Sequence, residues 1–398
     1  MKATLDAGFL DGAQREIERA GVDGWLLYDL EGRNRIAGEI LGLPDGISRR
    51  YFVLLRPGRA PQALAHAIEL THWTDWPGEV RSYVGWEDLE TALSELLEGC
   101  GTVAMETSER DAVPFVDNVP AGVLELITAL GVRVVSSAGL LSRTYAQWGE
   151  DGLILHRKAA AILAETAEAA YRRGLEAVLG GVPMTEYDLA SWIESEVASR
   201  GLLSDGVIVG VGPNSANPHY WPQKGTSASL EASAVLLIDL WGRVEGEPRA
   251  VFADQTWMGV LGPEAPEGFG AAWDAVRDAR DGAVEFIAGG YANGAGPTGA
   301  EVDAEARRIL SERGFGDHIL HRTGHAMDRV NHGFGPNLDS VETRDARRLV
   351  RGIGFSVEPG IYLAGRWGIR SEINVHLGEE GPEVSPPAAQ REPWLADG

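Results

Sequence analysis

The sequence predicts two domains, an α/β domain over residues 1–150 and an α+β domain over 151–398 carrying an internal pseudo-twofold duplication. Three observations lead there. A chain of 398 residues is longer than one ordinary hydrophobic core supports. In the first 150 residues helical patterns alternate with short strand-like runs, which argues for a largely parallel or mixed sheet covered by helices. Beyond residue 150 the order helix, helix, strands occurs twice, without evident sequence identity between the halves.

In the first domain apolar spacing predicts helices over 5–20, 34–43, 86–97 and 121–130, and strands over 24–28, 51–55, 102–105 and 132–135. No phosphate-binding glycine loop follows any of these strands. Trp73 and Trp76 are candidates to wall a pocket, against the commoner use of aromatic residues in packing. The Gly-Glu-Asp-Gly segment at 149–152 marks the boundary, and a helical pattern rich in Ala, Glu and Arg follows over 153–179. After Gly180-Gly-Val-Pro183 a second helix is expected, with Thr185 as its N-cap and Asp188 in its first turn. The period then changes to strands at 207–211, 234–239 and 250–254. Helices over 268–289 and 298–313 repeat the pattern, and strands around Glu358 and Glu372 complete it.

Composition narrows the function. With 44% apolar and 24% charged residues the chain reads as a soluble globular protein. A formal charge of −24 repels phosphate backbones and anionic membranes, so neither nucleic acid nor a membrane is an expected partner. Cys100 is the single cysteine, which excludes a disulfide framework and a thiolate metal cage and fits a reducing compartment. The first residues lack a signal peptide's apolar core and no run is long enough to span a bilayer, so the expected location is the cytoplasm.

Three of the nine histidines fall within the twelve residues from His321 to His332. A lone histidine is more often a surface or satisfied core residue, so the clustering is what calls for chemistry. His321 and His325 are four apart, as in helical zinc motifs, but the motif's glutamate is missing and Gly324 intervenes. An irregular loop or short turn is therefore expected there. Asp239 ends an apolar run, Asp254 follows Val-Phe-Ala, and Glu358 and Glu372 interrupt two further apolar stretches. Buried carboxylates in such places need a cationic partner. Four carboxylates and one imidazole suit two divalent cations about 3.5 to 4 Å apart.

The order Asp239, Asp254, His325, Glu358, Glu372 sits within Thr-Gly-His at 323–325, Val-Glu-Pro-Gly-Ile-Tyr at 357–362 and Arg-Ser-Glu at 370–372. In that order and setting it resembles the creatinase/aminopeptidase (pita-bread) metallopeptidases. Asn217-Pro-His219-Tyr220 is similar to their substrate-side histidine motif. The resemblance spans residues 150–380, and the domain before it is similar to the one carried by prolidases and Xaa-Pro aminopeptidases. It implies two divalent ions, with Mn²⁺ expected from the carboxylate-rich shell and Zn²⁺ or Co²⁺ as alternatives. Asp239 would hold one ion, Asp254 and Glu372 would bridge both, and His325 and Glu358 would complete the second. A bridging hydroxide would attack the scissile carbonyl while Glu358 passes its proton to the proline nitrogen. His332 and His219 would hydrogen-bond the tetrahedral intermediate and the proline-side carbonyl or carboxylate. Arg370 would fix the Glu372 carboxylate from behind, with His321 and Thr256 in similar supporting roles.

The resemblance points first to an Xaa-Pro dipeptidase acting on short proline-containing peptides, assembled as a homodimer. An Xaa-Pro aminopeptidase on longer peptides is the alternative, because what blocks the far end of the cleft decides between them. Two other classes, a metal-free creatinase-like hydrolase and a noncatalytic binding protein, are separated by metal content and a peptidase assay. Arg344 matches the place where prolidases put a carboxylate-binding arginine, with Arg49 and Arg50 as second candidates from the N-terminal domain of either subunit. Two departures stand out. Fourteen residues separate Asp239 from Asp254, more than in the family pattern, so the hairpin is expected to extend beside the active-site mouth. Asp328 also introduces an acid where the family pattern has none.

Overall fold

The computed structural model describes residues 5–44, 46–292 and 296–396. The chain forms two compact units, residues 1–145 and 146–398. In the first, strands β1 (Gly24–Asp29), β2 (Tyr51–Leu55), β3 (Gln62–His66), β4 (Glu79–Tyr83), β5 (Thr102–Met105) and β6 (Arg133–Ser136) make one sheet in the order β4-β3-β2-β1-β5-β6. The sheet is mixed: β1, β2 and β3 pair antiparallel, while β3–β4, β1–β5 and β5–β6 are parallel. Helices α1 (Ala7–Ala20), α2 (Arg35–Leu41), α3 (Trp86–Leu96), α4 (Ala121–Ala129) and α5 (Ala138–Arg143) accompany it. Sequence reading does not find β3 and β4, because β4 is an edge strand of mostly exposed residues and β3 is short and alanine-rich. Trp73 packs edge-on against Trp76 and Tyr51, with ring centroids 5.2 and 5.3 Å away, so these rings serve packing.

Glu106 is fully buried where β5 ends. Its carboxylate accepts hydrogen bonds from Trp25 Nε1 (2.6 Å), Asn34 Nδ2 (2.9 Å) and Ser137 Oγ (3.1 Å). Burial nevertheless pushes its pKa from 4.5 up to about 7. Between those two pH values the folded chain holds a proton that the unfolded chain has lost, so stability falls as pH rises through this window. The stability difference between the parent and Glu106→Gln should therefore shift by about 3 kcal/mol in the variant's favour from pH 4.5 to pH 8. Denaturant unfolding at the two pH values measures it, and a constant difference would show Glu106 to titrate in the fold as it does in the unfolded chain.

The second unit opens with α6 (Gly149–Leu179) and α7 (Glu186–Ser199). Thr185 and Asp188 form a full capping box at the start of α7, as the sequence predicts. Strands β7 (Leu202–Leu203), β8 (Val207–Val211), β9 (Val235–Val244) and β10 (Ala253–Val260) follow as one sheet. Helices α8 (Phe269–Ala292) and α9 (Gly299–Glu312) come next, the latter with its own capping box from Thr298 and Glu301. Strands β11 (Ala326–Met327), β12 (Gly354–Val357), β13 (Gly360–Leu363), β14 (Trp367–Arg370), β15 (Ile373–Gly378) and β16 (Gly381–Ser385) complete the repeat. They form a β11-β12-β15-β16 sheet and a β13-β14 hairpin. Among the described residues no helix is long and apolar enough to cross a membrane.

The hairpin of β9 and β10 differs from expectation. Both strands run further than their apolar cores, so Asp239 lies within β9 opposite Thr256, and Asp254 stands at the start of β10 instead of ending a strand. The cause is long-range: Leu240 to Val244 find partners in β7, β8 and β10, which no local pattern displays. The extra length is tied down by Glu245 N donating to Gly201 O (3.0 Å) and by an Arg249–Asp151 ion pair of 2.8 Å.

Strand parity sets which side chains meet. Leu236, Ile238 and Leu240 of β9, with Ala253 and Trp257 of β10, pack into the core beneath α6 and α7. Asp239, Asp254 and Thr256 therefore point to the opposite face. In the second sheet Phe355, Val357, Ile373 and Val375 pack into the core shared with α8 and α9. Ser356, Glu358, Glu372 and Asn374 are left on the other side. Two apolar faces thus leave two polar faces turned toward each other.

Candidate metal centre

The four acids set in or beside apolar runs, and the histidine to which the family resemblance points, lie close together. Asp254, His325 and Glu372 offer ligand atoms that all lie within 4.8 Å of one another. His325 Nε2 is 3.7 Å from Asp254 Oδ2 and 3.5 Å from Glu358 Oε1. Asp239 is joined to the cluster through Arg370, whose guanidinium pairs with Asp239 Oδ2 and lies 3.9 Å from Glu358 Oε2. All five side chains are nearly removed from water.

Local structure aims each group. No helix forms over 321–332; a loop carries His325 beside β12. There His325 N donates to Ser356 Oγ (3.0 Å) and Ser356 N to His325 O (2.9 Å). Gly324 permits this approach, because a Cβ there would stand 2.0 Å from Ser356 O. His325 Nδ1 lies 3.2 Å from Ala326 O, an arrangement that protonates Nδ1 and leaves the Nε2 lone pair facing the carboxylates. Glu358 and Glu372 are not within strands, as expected from sequence, but in the breaks between β12 and β13 and between β14 and β15. Pro359, which has no N–H to pair, follows the first of them. Ser356 Oγ donates to Glu358 Oε1 (3.0 Å), and Thr256 Oγ1 to Glu372 Oε2 (2.8 Å).

Arg370 acts differently from the sequence reading. It holds Asp239 directly and donates from Nε to Thr256 Oγ1 (2.8 Å), so it reaches Glu372 only through that hydroxyl. His321 Nε2 lies 2.6 Å from the Tyr362 hydroxyl, and charge interaction couples His321 to Glu358.

The electrostatics are those of a cluster with too much negative charge. Burial first, and then mutual repulsion with neighbouring carboxylates, raises Asp254 and Glu372 well above the usual carboxylate range. Burial also raises Asp239, against the pull of Arg370. Glu358 moves the other way: burial would raise it, but the surrounding imidazoles and the Arg370 and Arg322 guanidiniums together lower it. Burial drives His325 down to about 3, so the imidazole is neutral at pH 7. Asp239 Oδ1, Asp254 Oδ1 and Glu372 Oε1 are buried without any hydrogen-bond partner. Orphaned carboxylate oxygens beside a neutral imidazole form a donor set that fits divalent cations.

A family model, metallopeptidase family M24, matches residues 155–379, which contain all five residues. The chain belongs to metallopeptidase family M24. Over 297 residues it is 30% identical to a probable dipeptidase PepE of Mycobacterium tuberculosis, covering 74% of this chain and 72% of that one. It is 31% identical to an Xaa-Pro dipeptidase of Lactobacillus delbrueckii subsp. lactis over 226 residues, 56% of this chain and 55% of the relative. The crystal structure of dipeptidase PepE from Mycobacterium ulcerans matches with a TM-score of 0.73 at 25% identity, covering 98% of this chain and 96% of that one. The M24 chain accordingly has the pita-bread catalytic fold preceded by an N-terminal domain.

Other candidates lie around or apart from the M24 centre. The His332 ring meets His325 edge-on, centroids 4.3 Å apart, with its own side chain exposed. His219 is exposed at the end of the 212–216 turn, which is tied to β14 through Gly368 N donating to Ser215 Oγ (2.9 Å). Arg344 is exposed. Arg49 and Arg50 line a cavity of about 410 Å³ in the first unit, with Arg50 stacked 4.8 Å over Trp86. Sequence reasoning does not find Glu186, which is fully buried at the start of α7. It accepts hydrogen bonds from Val211 N (2.7 Å), Ala228 N (2.9 Å), Asn214 Nδ2 and the Tyr220 hydroxyl, and so fastens the loop bearing His219. A glutamate just inside a helix start carries no signal beyond favourable capping charge.

Proposed function

We propose that this metallopeptidase holds two divalent ions and hydrolyses the Xaa-Pro bond of dipeptides. The observation that carries the reading is the trio of buried, unpartnered oxygens on Asp239, Asp254 and Glu372. Asp254, Glu372 and His325 can hold one ion, and Asp239 with the shared carboxylates can hold the other. Four carboxylates and Arg370 leave three negative charges, which two dications convert to one positive. When bound, the ions supply an ionised water near neutral pH and a Lewis acid for the scissile carbonyl. Glu358, ionised and oriented by Ser356, takes the proton of the attacking water and delivers it to the proline nitrogen. His332 and His219 donate hydrogen bonds to the developing oxyanion and the proline-side carboxylate. The carboxylate-rich donor set favours Mn²⁺, and the single, buried Cys100 favours the cytoplasm.

The relatives named dipeptidase and Xaa-Pro dipeptidase support a two-residue substrate. Such a substrate carries its carboxylate two residues from its amine, and Arg344 is the proposed partner for it. Losing that charge-assisted bond should raise KM for Ala-Pro about 10- to 100-fold in Arg344→Ala, with metal content unchanged. The parent should cleave Ala-Pro faster than Ala-Pro-Ala. Equal or faster cleavage of the tripeptide would make the chain an Xaa-Pro aminopeptidase. A homodimer is the proposed assembly, and sedimentation at a mass near 42.7 kDa would contradict it.

A further inference from the structure

The turn after His325 carries an acid, Asp328. Asp328 is almost completely buried. Its Oδ1 accepts from Val330 N (3.0 Å) and its Oδ2 from Phe334 N (3.0 Å), while Gly333 N reaches back to Ala326 O (2.7 Å). One carboxylate therefore holds both ends of residues 330–334 in a tight turn. The turn closes only around glycine, because a Cβ on Gly333 would lie 2.4 Å from Asp328 Oδ2.

At the tip of this turn stands Asn331. Its Nδ2 donates to Asp254 Oδ2 at 2.8 Å, and its Oδ1 is buried with no hydrogen-bond partner. The carboxylate determines the amide's orientation, since a flipped amide would set oxygen against oxygen. A buried acceptor is thus left unsatisfied so that the donor can reach Asp254. That is an expensive arrangement for mere packing, and it sits on the carboxylate whose other oxygen, Oδ1, is also unpartnered.

We propose that Asp328 and Asn331 are positioning residues for Asp254: Asp328 shapes the turn, and the turn delivers the Asn331 amide to Asp254 Oδ2. Holding that oxygen by a donor fixes the carboxylate's rotation and so the direction in which both of its oxygens are presented. The inference rests on reading Asp254 as a metal ligand.

Calorimetric titration of Mn²⁺ into the metal-stripped, full-length protein tests it. Asn331→Val and Asp328→Ala should each weaken Mn²⁺ binding by about 10-fold or more. The double variant should be no weaker than Asn331→Val alone, because both lesions act through one contact. Excess Mn²⁺ should restore turnover in Asn331→Val, which a damaged fold would not allow. Parental affinity in Asn331→Val, or effects that multiply in the double variant, would overturn the proposal. If the parent itself bound no Mn²⁺, the metal reading would fail, and the crystal structure of metal-free Asp328→Ala would decide the relay alone. The Asn331 amide withdrawn from Asp254 would uphold it; an amide still within hydrogen-bond distance would refute it.

Discussion

Glu372→Ala should lower kcat/KM for an Xaa-Pro dipeptide at least about 1,000-fold, the scale of losing a preorganised electrostatic group in a buried site. It should also reduce bound metal below two equivalents. The stability signature is more specific than the loss of activity. Without metal, Glu372 is a buried carboxylate beside Asp254, and burial and that neighbour raise its pKa well above the usual range. Removing it relieves repulsion, so the metal-free variant should unfold at a higher temperature than the metal-free parent. In saturating Mn²⁺ the order should reverse, because the parent gains binding energy that the variant lacks. A variant that kept two ions and ordinary turnover would show that Glu372 does not bridge.

Glu358→Gln is expected to lower kcat by about 10²- to 10⁴-fold, the range for removing a positioned general base, with little change in KM. The amide keeps the size of the side chain and an oxygen for Ser356 Oγ, which now donates to Glu358 Oε1 at 3.0 Å. What is lost is an ionised group able to accept and pass on a proton. Steady-state kinetics on Ala-Pro separates the two parameters. A loss confined to KM would assign Glu358 to substrate binding instead.

The centre is legible in the sequence because its chemistry is local to short motifs. Asp239, Asp254, Glu358 and Glu372 are acids in or beside apolar runs. Strand alternation then turns Asp239 away from the helices, because Leu236, Ile238 and Leu240 on the same strand pack against them. The clustered histidines supply the imidazole in the same way. Other features depend on contacts distant in sequence and leave no local trace. The full length of β9 and β10 comes from pairing across the sheet, and β3 and β4 are too polar or too poor in large apolar side chains to register as strands. The motif around Arg370 sets that residue beside Glu372 in sequence without revealing the carboxylate it serves. No sequence can show that Asp239, on a strand 131 residues away, lies within reach of its guanidinium. Asp328 is visible as an oddity, and only the turn it closes explains it.

The most direct test is a titration of Mn²⁺ into metal-stripped protein, following Ala-Pro hydrolysis and bound metal together. The structure's four carboxylates and single imidazole predict no turnover without metal, and activity that reaches its plateau as the second equivalent binds. Full hydrolysis in the stripped protein, or a plateau with one ion bound, would contradict the dinuclear account.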